Sequence, residues 1–161
     1  MIRYLLAFLV AAAAVHAATV WYLPRLAMNT AMDRLASIGA ATNQIAHVPP
    51  TDENSRRVVR PSPDLLYSIC LLDVSNGPVR VRAADWGGYM SLAVFSGNTD
   101  NVFTRNDTEI DGDIEITIGD GGDVDLGSAT GIALIRRLAP DEDTIAEADA
   151  VRRSRDLCDE V

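Results

Sequence analysis

The chain has 161 residues, 14 basic against 23 acidic side chains, a formal charge of −9 and two cysteines. It contains no lysine, and beyond residue 23 the balance is 13 arginines against 23 Asp and Glu, or −10. So acidic a surface repels phosphate backbones and anionic headgroups, which argues against nucleic acid as a partner. About 110 residues follow the N-terminal segments, enough for one domain with a modest core.

From Leu5 to Leu23 no residue is charged. At about 1.5 Å per residue the run reaches roughly 28 Å, close to the hydrocarbon thickness of a bilayer. A secretory signal competes with a membrane anchor here, since Arg3 makes a minimal basic region and Val15-His16-Ala17 resembles a cleavage site. The apolar run continues past that site to Trp21 and Tyr22, which suit the lipid interface, so an uncleaved anchor over residues 1–24 is preferred. Two cysteines suit an oxidising compartment and favour a periplasm-facing domain, against the weak opposing count of Arg25 and Arg34 after the span. His16, inside the span, is either a proton-relay group or a neutral side chain at a boundary or helix contact.

Met28, Ala31, Met32, Leu35 and Ile38 recur at spacings of three and four, predicting an amphipathic helix within residues 25–46. Residues 47–63, with four prolines and clustered charge, read as a linker. His47 at its start is the only histidine outside the span, and without a Cys-x-x-Cys pair no ordinary structural zinc site can be assembled. No cofactor is implied.

Strand periodicity begins at Leu65. Leu65, Tyr67, Ile69 and Leu71 alternate with Leu66, Ser68, Cys70 and Leu72, so both faces of that strand are largely apolar and both need cover. Asn76-Gly77-Pro78 is a turn, Val79 and Val81 alternate with arginines, and Gly87-Gly88 leads into a strand through Met90, Leu92 and Val94. Asn98 to Asn106 reads as a polar loop plugged by Val102 and Phe103, Asp111-Gly112 as hairpin chemistry before Ile114, Ile116 and Ile118, and Gly131 to Leu138 as a last strand. Residues 64–138 thus read as a β-meander of antiparallel strands. Residues 139–161 read as a short helix opening at Pro140, acidic first and basic last, with Ile145, Ala148, Val151 and Leu157 inward.

The stretch Arg60-Pro61-Ser62-Pro63-Asp64 before the first long strand admits a structural role, with the prolines holding the chain extended. It also admits a polar cluster of Arg60, Asp64 and Tyr67 at a pocket, joined by Asn98 and Asp100, in which Asp64 would be the base. Cys70 and Cys158 are expected to pair, stapling the last helix across the sheet for about 2–4 kcal/mol. Asp107, Glu109, Asp111 and Asp113 imitate the start of a calcium loop, but Ile118 stands where its closing bidentate Glu belongs. Gly119 to Gly127 resembles one repeat of a calcium-binding β-roll, which works only in stacked arrays. Ser68, Ser75, Ser91 and Ser96 lack a Gly-x-Ser-x-Gly elbow, and only a linker histidine could serve them. No catalytic residues are assigned.

"RPSPDLLYS", "LLDVSNGPV", "YMSLAVFSGNTDNVF" and "GIALIRRL", in that order, resemble the domain-of-unknown-function family numbered 1254 in its short, membrane-anchored bacterial form. The resemblance covers about residues 56–138. Where relatives usually show Arg-Pro-Asn-x-Asp-Thr-Leu-Tyr, this chain has Arg60-Pro61-Ser62-Pro63-Asp64-Leu65-Leu66-Tyr67. It implies a jelly-roll-like sandwich, a place in the bacterial inner membrane, and a separate companion of the family numbered 1214, whose domain commonly follows this one. The expectation is therefore a mainly β, single-pass envelope protein acting as an interaction module. The alternative is a hydrolase or small-ligand-binding domain with a pocket near Arg60, Asp64 and Tyr67.

Overall fold

The computed structural model describes residues 1–52, 55 and 61–161. Helix α1 (Ile2–Ala36) leads into strands β1 (Ile45–His47), β2 (Leu65–Asp73), β3 (Val79–Ala83), β4 (Met90–Ser96), β5 (Asn101–Asn106), β6 (Ile114–Ile118) and β7 (Thr130–Leu138). Helix α2 (Glu142–Arg155) and strand β8 (Leu157–Glu160) end the chain. Five strands form one sheet in the order β1-β2-β7-β4-β5 and three form a second in the order β6-β3-β8, with every strand pair antiparallel.

The inner face of the large sheet follows from strand alternation. Cys70 lies opposite Ala133, and Ala133 opposite Val94. These residues pack with Leu72, Leu92 and Ile135 against Val79, Val81, Ile114, Ile116 and Ile118 of the small sheet. The outer face of β2 and β7 presents Ile69, Leu71 and Ile132, and the chain covers it with its own helix. Met28 and Leu35 of α1 are buried there, with Met32 alongside.

α1 runs unbroken through Pro24, whereas the sequence divides it near residue 24. A proline removes one backbone donor and leaves the flanking turns intact, and next to the lost bond the Arg25 guanidinium bonds the Trp21 carbonyl. The helix stops at Ala36, ten residues before the expected end at 46. Gly39, at φ 101°, supplies the left-handed turn that lets Ala40 N–H return to the Leu35 carbonyl. Every side chain from residue 1 to residue 23 is exposed, and the helix is long and apolar enough to cross a membrane.

Three strands fall where the sequence reads linker, loop or helix. Residues 45–47, at the junction of the expected helix and linker, form β1 on the edge of β2. Asn101–Asn106 is β5 and not a loop, because Phe103 lies opposite Val94 and packs on the core while its polar neighbours face water. The last helix starts after Pro140, capped reciprocally by Asp141 and Thr144. It ends at Arg155, and Leu157 and Cys158 belong to β8, paired with β3. The Cys70–Cys158 disulfide (Cα–Cα 6.3 Å, sequence separation 88) therefore links sheet to sheet and not helix to sheet.

If α1 is the outer cover, Leu35→Ala removes contacts that the sheet cannot replace. Urea unfolding of the full chain in mild detergent should show a loss of about 2–5 kcal/mol, the ordinary cost of a buried Leu→Ala change.

Candidate functional site

Among the described residues, Asn98 and Asp100 do not join Asp64 and Tyr67 in one pocket. Asp64 is exposed beside the start of β2, where its carbonyl accepts the Ala139 N–H, and the half-buried Tyr67 accepts the Ser62 N–H at its hydroxyl (3.0 Å). Asn98 and Asp100 hydrogen-bond each other in the β4–β5 turn. Leu66 lies in register with Arg137 and Met90, and Leu72 with Gly131 and Ser96, so the two groups occupy opposite ends of one sheet. Six residues of strand separate them by about 20 Å. Arg60 lies outside the described residues.

The acidic candidates do not converge either. The Glu109 side chain accepts the Asn106 N–H, and Asp113 accepts the Asp85 N–H and pairs with Arg155 at 2.8 Å. Asp107 opens the short 3-10 turn and Asp111 is exposed. Among the described residues no group of three or more His, Cys, Asp or Glu side chains is placed to hold a metal ion.

A polar cluster the sequence did not reveal lies at the α2 end of the sandwich. In the β1–β2 register His47 stands opposite Ser68, which brings Nδ1 and Oγ to 2.9 Å. Arg137 is on the inner face of β7, 1 % exposed, and its Nη1 donates to Asp156 Oδ2 at 2.8 Å while Nη2 bonds Asp156 Oδ1 and the Ala84 carbonyl. Its Nε has no partner among the described residues. Arg152, fully buried on α2, donates to the Tyr67 and Val48 carbonyls and to Asp149 (2.7–2.9 Å). It thus ties α2 to β2 and to the residue after β1.

The electrostatics follow from this crowding. Burial lowers the His47 pKa, the nearby Asp156 carboxylate opposes that, and Arg152 and Arg153 lower it further. Burial pushes the Asp149 carboxyl up, but hydrogen bonds from Arg153 and Arg152 outweigh it and hold the group below the usual carboxylate range.

His47 and Ser68 have the separation of a base and a nucleophile, yet Ser68 is 0 % exposed, so no substrate carbonyl can reach its oxygen. His47 also lines a groove of about 220 Å³ whose other walls include the apolar Leu35, Ile38, Val48 and Ile69. The cluster therefore satisfies buried polar groups and holds α2 against the sheet. One signal for it was in the sequence: alternation along "GIALIRRL" puts Arg137 on the same face as Ala133 and Ile135, and a core-facing arginine requires a carboxylate. Nothing local identified Asp156 as that carboxylate.

This architecture is a two-sheet antiparallel β-domain carried on a helix long enough to span a membrane. The family model described as a protein of unknown function (DUF1254) matches residues 42–157, and the chain belongs to that family. Among solved structures, the VPA0106 protein from Vibrio parahaemolyticus is similar over 89% of this chain and 37% of its own, at 14% identity and a TM-score of 0.66. An uncharacterised protein from Burkholderia cenocepacia is similar over 80% of this chain and 39% of its own, at 22% identity and a TM-score of 0.45. The chain thus spans less than half the length of either. No curated protein matches it.

Two outcomes follow from the cluster. Asp156→Asn leaves Arg137 charged, buried and uncompensated, and should cost about 3–5 kcal/mol in urea unfolding, whereas replacing both partners by apolar residues of similar volume should recover most of that loss. Because the folded pKa of His47 lies below its ordinary 6.5, the unfolded chain binds more protons in the window between those two values. Stability should rise with pH across that window, and His47→Asn should flatten the slope there while leaving the carboxylate-driven loss at lower pH unchanged.

Proposed function

We propose that this protein is a single-pass component of the bacterial inner membrane, anchored through Leu5 to Leu23. Its β-domain faces the periplasm and completes an assembly with a separately encoded companion of the 1214 type. One observation carries the reading: among the described residues the large sheet ends in an unpaired edge at β5, and exposed apolar side chains stand on the same sheet.

The surface is compatible with this. Among the described residues β5 pairs only with β4, which leaves its other edge open, and Val102 on it is 37 % exposed. Tyr89 and Leu138, 45 % and 44 % exposed, stand together at the far end of the sheet. An open edge and exposed apolar side chains are what a partner covers. The outer face of β2 is not available for this purpose, because α1 already covers it. The periplasmic assignment draws support from the disulfide, a bond that persists in an oxidising compartment.

Capture of the tagged full-length protein from mild detergent, followed by mass spectrometry, is expected to return one membrane-anchored companion in stoichiometric amount. Recovery of the chain with no stoichiometric companion contradicts the proposal.

A further inference from the structure

We propose that the membrane-spanning part of α1 pairs, in parallel, with the same segment of a second copy of this chain through the face that carries His16. The inference rests on the anchor reading above. Ala14 is the midpoint of the uncharged run from Leu5 to Leu23, so His16 sits about 3 Å along the helix axis from the centre of the bilayer. There the other polar side chain, Thr19, folds its hydroxyl back onto the Val15 carbonyl at 2.8 Å. The imidazole of His16 is exposed and has no hydrogen-bond or ionic partner among the described residues. In hydrocarbon no water can satisfy it, and ionisable side chains at such depth face another protein surface rather than lipid.

The surface beside it admits one. Phe8, Ala11, Ala12, Val15, His16 and Thr19 line a shallow open groove along the helix. Alanine one turn before the histidine and threonine just after it let a second backbone approach closely. A second copy is the occupant whose chemistry needs no further assumption. Two copies of one chain insert in the same orientation, so a parallel pair places His16 opposite His16 at equal depth. A neutral imidazole carries one donor and one acceptor, and the two rings satisfy each other across a two-fold axis without any third residue.

The experiment uses the full chain in its own membranes. Both native cysteines are in the disulfide, so an introduced cysteine is the one free thiol among the described residues. Ala12→Cys lies on the groove, and Ala14→Cys lies about 200° around the helix from His16. Mild oxidation should convert A12C, and not A14C, into a product of twice the chain mass. Adding His16→Leu should reduce that product about fivefold, the scale of one interhelical hydrogen bond. His16→Asn, which keeps a donor and an acceptor, should retain most of it.

Equal crosslinking at both positions, no crosslinked product, a product of any other mass, or indifference to His16→Leu overturns the pairing. The intact mass of the membrane-bound chain separates the two ways of failing. A full-length mass without the A12C dimer refutes the pairing alone, whereas a mass lacking the first residues refutes the anchor and the pairing together.

Discussion

β2 is apolar on both faces, and a strand of that kind is stable only where both faces are covered. The inner cover is the small sheet, joined to β2 by the Cys70–Cys158 bond through the middle of the core. The outer cover is the last three turns of α1, whose Met28 and Leu35 lie on Ile69, Leu71 and Ile132. Because α1 is one helix from Ile2 to Ala36, the segment that suits a membrane and the segment that completes the sheet are parts of one rod. No loop separates the two segments, so the position of the apolar N-terminal run is fixed to the outer face of the sheet by the helix itself.

The two ends of the sandwich are closed by buried polar side chains. At one end Asn43 accepts the Asp73 N–H and donates to the Asp73 carbonyl and to Glu160, so the residues leading into β1 are stitched to both sheets. At the other end Arg137 and Asp156 fix the point where α2 gives way to β8, and Arg152 holds α2 on the β1–β2 edge. Ion pairs of this kind add little net stability over an apolar core but are costly to break singly. They define where the chain turns. His47 and Ser68 fit the same role: burial lowers the His47 pKa, and its ring nitrogen and the buried Ser68 hydroxyl hydrogen-bond each other.

Much of this architecture was legible in the residues. The period-two runs at 65–72, 79–82, 90–94, 114–118 and 131–138 each became a strand, because alternation against a buried core leaves a strong signature. β5 was hidden by its edge position, where only Phe103 has to be apolar. β8 was hidden by the basic residues before it, which read as the end of a helix that stops at Arg155. The two faces of β2 were correctly seen to need cover, and the stripe through Met28, Met32 and Leu35 marked a helix with one face to bury, but nothing local said that it would bury that face on β2. The candidate sites fared differently. Asp64 and Asn98 look alike as polar residues flanking strands, and only strand register shows that they stand at opposite ends of the sheet.

The most direct test of this account is the fate of the β-domain without its rod. A chain starting at residue 42 keeps every strand and the disulfide but loses Met28 and Leu35, so its urea midpoint and sedimentation can be compared with those of the full chain in detergent. The account predicts a lower midpoint and self-association through the uncovered Ile69, Leu71 and Ile132. A monodisperse monomer with the midpoint of the full chain would show that the outer face of β2 needs no helix, and would contradict it.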